Sequence, residues 1–201
     1  MARQSERRRH SHRAILEAAA RLLRQRGLKG AGVDAVMTAA GLTHGGFYAH
    51  FKSKAALLRE ALAEALAESR GRWLGGLAEL APSARVPSLL GRYLNEAHVA
   101  DPASGCPLPL VAGEIWRQDS QSRKNFAAEI DAHIDALSAL LPGGDAAHSR
   151  QQAIGLLALC VGGVSLARAV GDDSPLRGEI LHASRALALR AHGREASETG
   201  Q

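Results

Sequence analysis

The sequence predicts an all-α protein with a small helical head and a larger helical body. Three observations carry this. Alanine, leucine, arginine and glutamate dominate while aromatic residues make up only 3% of the chain, so good helix formers outnumber strand formers almost throughout. Apolar residues recur at three- and four-residue spacing in long stretches. Three of the seven aromatic residues, Phe47, Tyr48 and Phe51, crowd into residues 41–54, beside the pair Gly45 and Gly46. Glycine in a helical turn costs roughly 1 kcal/mol relative to alanine, so such a pair implies that something approaches the backbone closely.

Taken in order, residues 1–10 are polar and arginine-rich, with no apolar period, and read as a flexible basic arm. A first helix is expected from Ser11, a possible cap, through Ile15, Ala18, Ala19, Leu22 and Leu23 to a stop at Gly27. A second covers about residues 33–40, with Val33, Val36 and Met37 on one side, and Gly41 makes the turn. Thr43 caps a third helix from His44 to about Phe51. It buries Phe47 and Phe51, four apart, and leaves His44, Gly45, Tyr48 and His50 facing outward. Helix, glycine turn and short helix make the helix-turn-helix pattern.

Ser53 caps a long fourth helix from Lys54 with Leu57, Leu58, Ala61, Leu62, Ala65 and Leu66 inward. Pro82 and Pro87 interrupt the pattern, and further helices are expected near residues 88–98, 107–117, 120–141, 146–170 and 175–192. Connections fall at Asp101-Pro102, Pro142-Gly143-Gly144 and Gly171-Asp172-Asp173, and a polar tail from residue 193 reads as disordered. The domain boundaries that follow are 1–10 for the arm, 11–54 for the head, 55–192 for the body and 193–201 for the tail.

Charge separates the two parts. Residues 1–54 carry a net +8 and residues 55–201 a net −3, so a basic head suited to polyanions is joined to a mildly acidic body. Two distant cysteines, Cys106 and Cys160, without a C-x-x-C pair, speak against a disulfide framework or a zinc finger and for a reducing cytoplasm. No apolar segment follows the N-terminal arginines as a secretory signal would require, and the longest uncharged run, residues 151–167, is shorter than a membrane span and reads as a buried helix. Nine histidines lie scattered without metal-ligand spacing, and no phosphate loop, nucleophile elbow or dinucleotide fingerprint occurs. No metal, cofactor or enzymatic activity is therefore expected; an all-α enzyme is the weakest of the rival readings.

The stretches RAILEAAARLLRQRG and GVDAVMTAAGLTHGGFYAHFKSKAALLREAL, with their F-Y-x-H-F-x-x-K core, resemble the TetR/AcrR family of transcriptional repressors over about residues 11–65. The resemblance implies an N-terminal helix-turn-helix DNA-binding domain followed by a helical effector-binding and dimerisation domain. It implies that Thr43, His44 and Gly45 meet base edges and nearby phosphates, that Tyr48 and His50 touch the phosphate backbone, and that Lys54 binds a phosphate. A lysine and open backbone N–H groups at a helix N-terminus make a suitable anion site. With two glycines the recognition helix is poor in side chains, which shifts specificity toward Thr43, His44 and DNA shape.

A homodimer reading a palindromic operator is expected, paired through residues 146–170 and 175–192, whose small residues Gly155, Gly162, Gly163, Ala183 and Ala186 permit close helix approach. The resemblance also implies a small-molecule effector pocket within about residues 80–141. Candidate linings are Tyr93, His98, Cys106, Leu110, Trp116 and Phe126. The GCPLP stretch makes Cys106 a candidate sensor of oxidants or electrophiles, and Cys160 reads as inert core. The rival from another class is a sequence-independent nucleic-acid binder using the basic head, which would show a steep salt dependence and little discrimination.

Overall fold

The computed structural model describes residues 2–141 and 145–198; the expected Pro142-Gly143-Gly144 connection and the last three tail residues lie outside them. The described residues form helices and 3-10 turns. In chain order these are α1 (Ala2–Gly30), α2 (Val33–Ala39), a 3-10 turn (His44–Ala49), α3 (Lys54–Leu74), α4 (Pro82–Tyr93) and α5 (Glu96–Ala100). They continue with α6 (Leu108–Val111), a second 3-10 turn (Ile115–Arg117), α7 (Ser120–Ser138), α8 (Ala146–Ala169) and α9 (Leu176–Glu198). Two compact units result: the described residues up to Glu68 with Pro102–Glu129, and Ser69–Asp101 with the described residues from Ile130 onward.

In the first unit, Ile15, Ala19 and Leu23 of α1 are fully buried with Val36 of α2 and with Leu57, Ala61 and Leu66 of α3, the set expected from their helical spacing. The helix does not start at Ser11. It begins at Ala2, because the arginine-rich stretch holds no breaker and its Arg, Glu and Gln residues are themselves good helix formers. At Gly27 α1 kinks, with φ 67° and ψ −169°, a backbone state open essentially to glycine alone.

In the second unit α8 packs along α9, α4 rests on α9 and α5 on α8. A Cβ at Gly163 would lie 2.9 Å from the Ser184 hydroxyl oxygen and 3.0 Å from Leu94 Cδ2, so the close contact of α8 with α9 depends on that glycine. Arginines bind the ends of the short helices. Arg168 donates from Nη2 to the His98 carbonyl at 2.6 Å and from Nε to the Val99 carbonyl at 3.3 Å, Arg185 donates to the Leu94 carbonyl, and Arg177 pairs with Glu96 at 2.9 Å and with Asp172. The Arg168 and Arg185 guanidiniums satisfy carbonyls that helix ends leave open, while Arg177 is held by two carboxylates.

Several element boundaries differ from the sequence reading. The helix expected over 88–98 is two helices, because the Asn95 side chain caps α5 by accepting from the His98 N–H at 2.9 Å. Pro82 and Pro87 do not precede a helix but lie in α4, Pro82 in its first turn, where the missing N–H costs nothing. The helix expected over 107–117 is the short α6 followed by the 3-10 turn Ile115–Arg117. α9 passes Gly193 and continues to Glu198. α8 is not a buried helix: only 33% of its most apolar window is buried, with Ile154 and Leu166 exposed.

Candidate nucleic-acid interface

The turn after α2 begins at Gly41, whose φ of 69° reverses the chain. Thr43 then sits at the N-cap in extended conformation, with no capping bond from its side chain. The element that follows is a six-residue 3-10 turn ending at Ala49, where an α-helix to about Phe51 was expected. Its closing bonds have three-residue reach, from the Gly46 N–H to the Thr43 carbonyl at 3.0 Å and from the His50 N–H to the Phe47 carbonyl at 2.9 Å. A glycine pair gives the backbone little reason to prefer the wider helix.

Aromatic packing fixes this turn. Phe47 and Phe51 are buried and stacked at 5.9 Å, and the His12 ring of α1 stacks on Phe51 at 4.7 Å while its Nε2 meets Glu60 Oε1 of α3 at 2.8 Å. Two further ties hold the ends. His44 Nδ1 meets Asp34 of α2, and Arg8 of α1 donates from Nη2 to the Ala49 carbonyl at 2.9 Å. The sequence reading missed Asp34 and Arg8. Asp34 had a signal, as one of three acids in the basic head; nothing in the sequence brought Arg8 beside Ala49.

Between those ties Thr43, His44 and Gly45 are exposed, and Tyr48 is 70% exposed with its ring edge-on to Phe47 at 5.1 Å. A Cβ at Gly45 would meet nothing within 4 Å, and one at Gly46 only the Met37 methyl at 3.8 Å and the Thr43 hydroxyl oxygen at 4.0 Å. Neither glycine has positive φ, so the fold itself does not require either. His50 is half-buried at the rear of the turn. Burial, followed by the neighbouring His12 and Arg8 charges, holds its imidazole below the usual histidine pKa and so neutral at pH 7. Lys54 is exposed at the first residue of α3, where Ser53 Oγ accepts from the Ala56 N–H at 3.1 Å. Thr43, His44, Gly45, Tyr48, His50 and Lys54 thus all belong to the first unit, with His50 the least exposed by position.

The six candidate effector residues divide between the two units. Tyr93 and His98 lie in the second unit around Trp73, with ring centroids 4.5–5.1 Å apart. His98 Nδ1 donates to the Tyr93 carbonyl at 2.7 Å, and burial depresses its pKa to about 4. Cys106, Leu110, Trp116 and Phe126 lie in the first unit: Cys106 is 1% exposed, Leu110 half-buried, and Trp116 exposed with the Arg117 guanidinium 4.3 Å over its ring. Phe126 lines a pocket of about 230 Å³, walled also by Leu28, Leu58, Leu62 and Ile115. Among the described residues no three His, Cys, Asp or Glu side chains are placed to hold a metal ion.

Residues 15–61 match the family of bacterial regulatory proteins, tetR family. No curated protein sequence matches the chain significantly. Solved structures do. A TetR transcriptional regulator from Chloroflexus aurantiacus superposes with TM-score 0.74 at 24% identity, over 92% of this chain and 95% of that one. A TetR transcriptional regulator from Legionella pneumophila gives 0.73 at 18%, over 89% and 95%, and E. coli NemR in its reduced form gives 0.72 at 22%, over 89% and 95%. At these identities the likeness is one of fold. The helix-turn-helix head thus matches the tetR family of bacterial regulatory proteins over residues 15–61, and the all-helical chain shares the fold of solved TetR-family regulators over most of its length.

Proposed function

We propose that this protein is a DNA-binding transcriptional regulator, a repressor that binds a near-palindromic operator as a homodimer and leaves it when a small apolar or electrophilic effector binds. The carrying observation is the exposed 3-10 turn, tied at one end by Asp34 and at the other by Arg8, in an N-terminal segment, residues 1–54, of net charge +8. Thr43 and His44 read base edges, the open backbone at Gly45 admits a strand closely, and Tyr48, His50 and Lys54 hold phosphates. Neutral His50 serves as a hydrogen-bonding group rather than as a cation. Exposed Ile154 and Leu166 of α8 with Leu187 and Leu189 of α9 form the apolar faces that pair with a second copy, as a single recognition element gives too few contacts for tight specific binding.

Release works through α3, which carries Lys54 at its start and runs unbroken to Leu74. A change in its tilt alters the spacing of the two recognition turns, so that they no longer fit successive major grooves. Coupling of about 1–3 kcal/mol weakens operator binding roughly 5- to 150-fold. Cys106 acts as a sensor only after local opening, since its thiol is buried. The protein works in the cytoplasm, where its DNA is.

The test is binding to DNA flanking the protein's own gene against unrelated DNA of equal length, at two salt concentrations. Preference by about 10³-fold or more, weakened by Thr43→Ala and Tyr48→Ala, supports the reading. Equal affinity for both, abolished by salt, identifies instead a sequence-independent binder.

A further inference from the structure

The first unit contains a second pocket, of about 410 Å³, that adjoins the 230 Å³ one. The two share Leu28 of α1, Ala55 and Leu58 of α3, and Gln118. Their walls differ in character. Beyond the shared strip, the smaller is closed by Leu62, Ile115 and Phe126, while the larger is rimmed by Lys29, Lys54 and Arg117.

The carboxylates facing these pockets do not cancel that charge. Glu114 lines the larger pocket and its Oε2 accepts from the Leu28 N–H at 2.5 Å, beside the kink at Gly27, but it is one carboxylate against the Lys29, Lys54 and Arg117 cations. Glu129 lies on the rim of the smaller pocket, opposite in sign to Lys124 and Arg59 on that same rim. Arg59 is held by Asp119 at 3.7 Å and by the Ser122 hydroxyl at 3.5 Å. Arg117 is drawn over the Trp116 ring. Lys29 and Lys54 are exposed. An apolar slot therefore opens beside a cationic mouth.

We infer that the two pockets form one binding site for a small amphipathic carboxylate, its aliphatic tail between Leu58, Leu62 and Phe126 and its head between Lys29 and Lys54. The chemistry follows from the walls. The slot favours a tail by removing apolar area from water, and the mouth discriminates by sign, since a cationic head of the same tail meets like charge. The inference rests on the effector-released reading above and refines it, naming the effector's class and placing it beside α1 and α3 of the head. Lys54 is the residue proposed to hold an operator phosphate, so carboxylate and DNA compete for it, and this competition adds to the change in the tilt of α3.

The experiment uses the full chain without DNA first, titrated calorimetrically with decanoate, decanol and decylamine below their aggregation concentrations. Saturable decanoate binding, about tenfold tighter than decylamine, is expected from two cations at the mouth. Ala128→Trp, which fills the slot from its exposed rim on α7, weakens all bound probes about tenfold or more. Lys29→Gln weakens decanoate about threefold and leaves decanol unchanged. Lys29 lies on the surface, so its variant stays informative should the tryptophan variant fold poorly. Decylamine binding as tightly as decanoate, no saturable decanoate binding, or decanoate binding indifferent to both variants, overturns the site. Operator DNA is then added: decanoate raises its apparent dissociation constant in proportion to concentration if Lys54 is shared. Decanoate bound with operator affinity unchanged overturns the competition, while failure of the operator reading shows separately, as loss of sequence preference without any carboxylate.

Discussion

The two units treat polar groups in opposite ways. In the first, polar side chains tie the surface of a small element: Asp34 to His44, Arg8 to Ala49, and His12 to Glu60, all exposed or half-exposed. In the second, guanidiniums of Arg168, Arg177 and Arg185 reach to helix ends, and the imidazoles of His98 and His133 are buried. The turn presents a shape held by surface ties, although the first unit also buries Arg24 against Glu68; in the second the ties lie at helix ends and around buried imidazoles. Surface ties contribute only tenths of a kcal/mol to about 1 kcal/mol each, so the head's geometry depends on the stacked Phe47 and Phe51 beneath it. A buried imidazole, by contrast, makes the second unit sensitive to acid.

The sharpest way to break the contrast is Phe47→Ala. Phe47 is 1% exposed, and its loss leaves a cavity under the recognition turn that costs about 3–5 kcal/mol, read as a fall in the denaturation midpoint together with lost DNA binding. Acid should act next and on the other unit. Burial depresses both His98 and His133 to about 4, against an ordinary 6.5, so the unfolded chain binds protons first. Their stabilisation is complete above pH 6.5 and declines as pH falls from there toward 4, by up to roughly 3 kcal/mol each. A urea series across that range tests it, and His133→Gln should flatten the slope by about half.

Gly27→Ala is smaller. It demands positive φ of a residue with a Cβ, and that Cβ would stand 2.5 Å from Glu114 Oε2, so a loss of about 2 kcal/mol is expected by thermal unfolding. Asp34→Asn is the mildest. It removes a carboxylate beside the proposed DNA-contacting turn and frees His44, so affinity for unrelated DNA should rise about two- to threefold at low salt, with little change in stability.

How much of this was legible in the sequence depends on the kind of signal. Long periodic helices showed clearly, because α3, α7 and α8 repeat apolar residues over many turns; α8 begins at Ala146 as read. The break at Asn95 did not, since apolar residues continue on both sides and only a local cap separates α4 from α5. The aromatic cluster announced the head, but whether it formed an α-helix or a 3-10 turn rested on a glycine pair whose backbone has no strong preference. The slot beside α3 escaped almost wholly. Its walls come from α1, α3 and α7, remote in sequence, and Phe126 alone was picked out beforehand. Residue type marks Tyr93 and His98 as candidates, and type does not reveal that Trp73 packs against both.

Gly45 and Gly46 are dispensable to the fold, and this bears on how a helix-turn-helix head of this kind diversifies. A side chain at Gly45 meets open space, and one at Gly46 makes ordinary contacts, so most substitutions there carry little thermodynamic penalty. Selection for a new target sequence can therefore explore these two positions without first acquiring compensating mutations elsewhere. The same property makes them the natural pair to randomise in a library aimed at new operators.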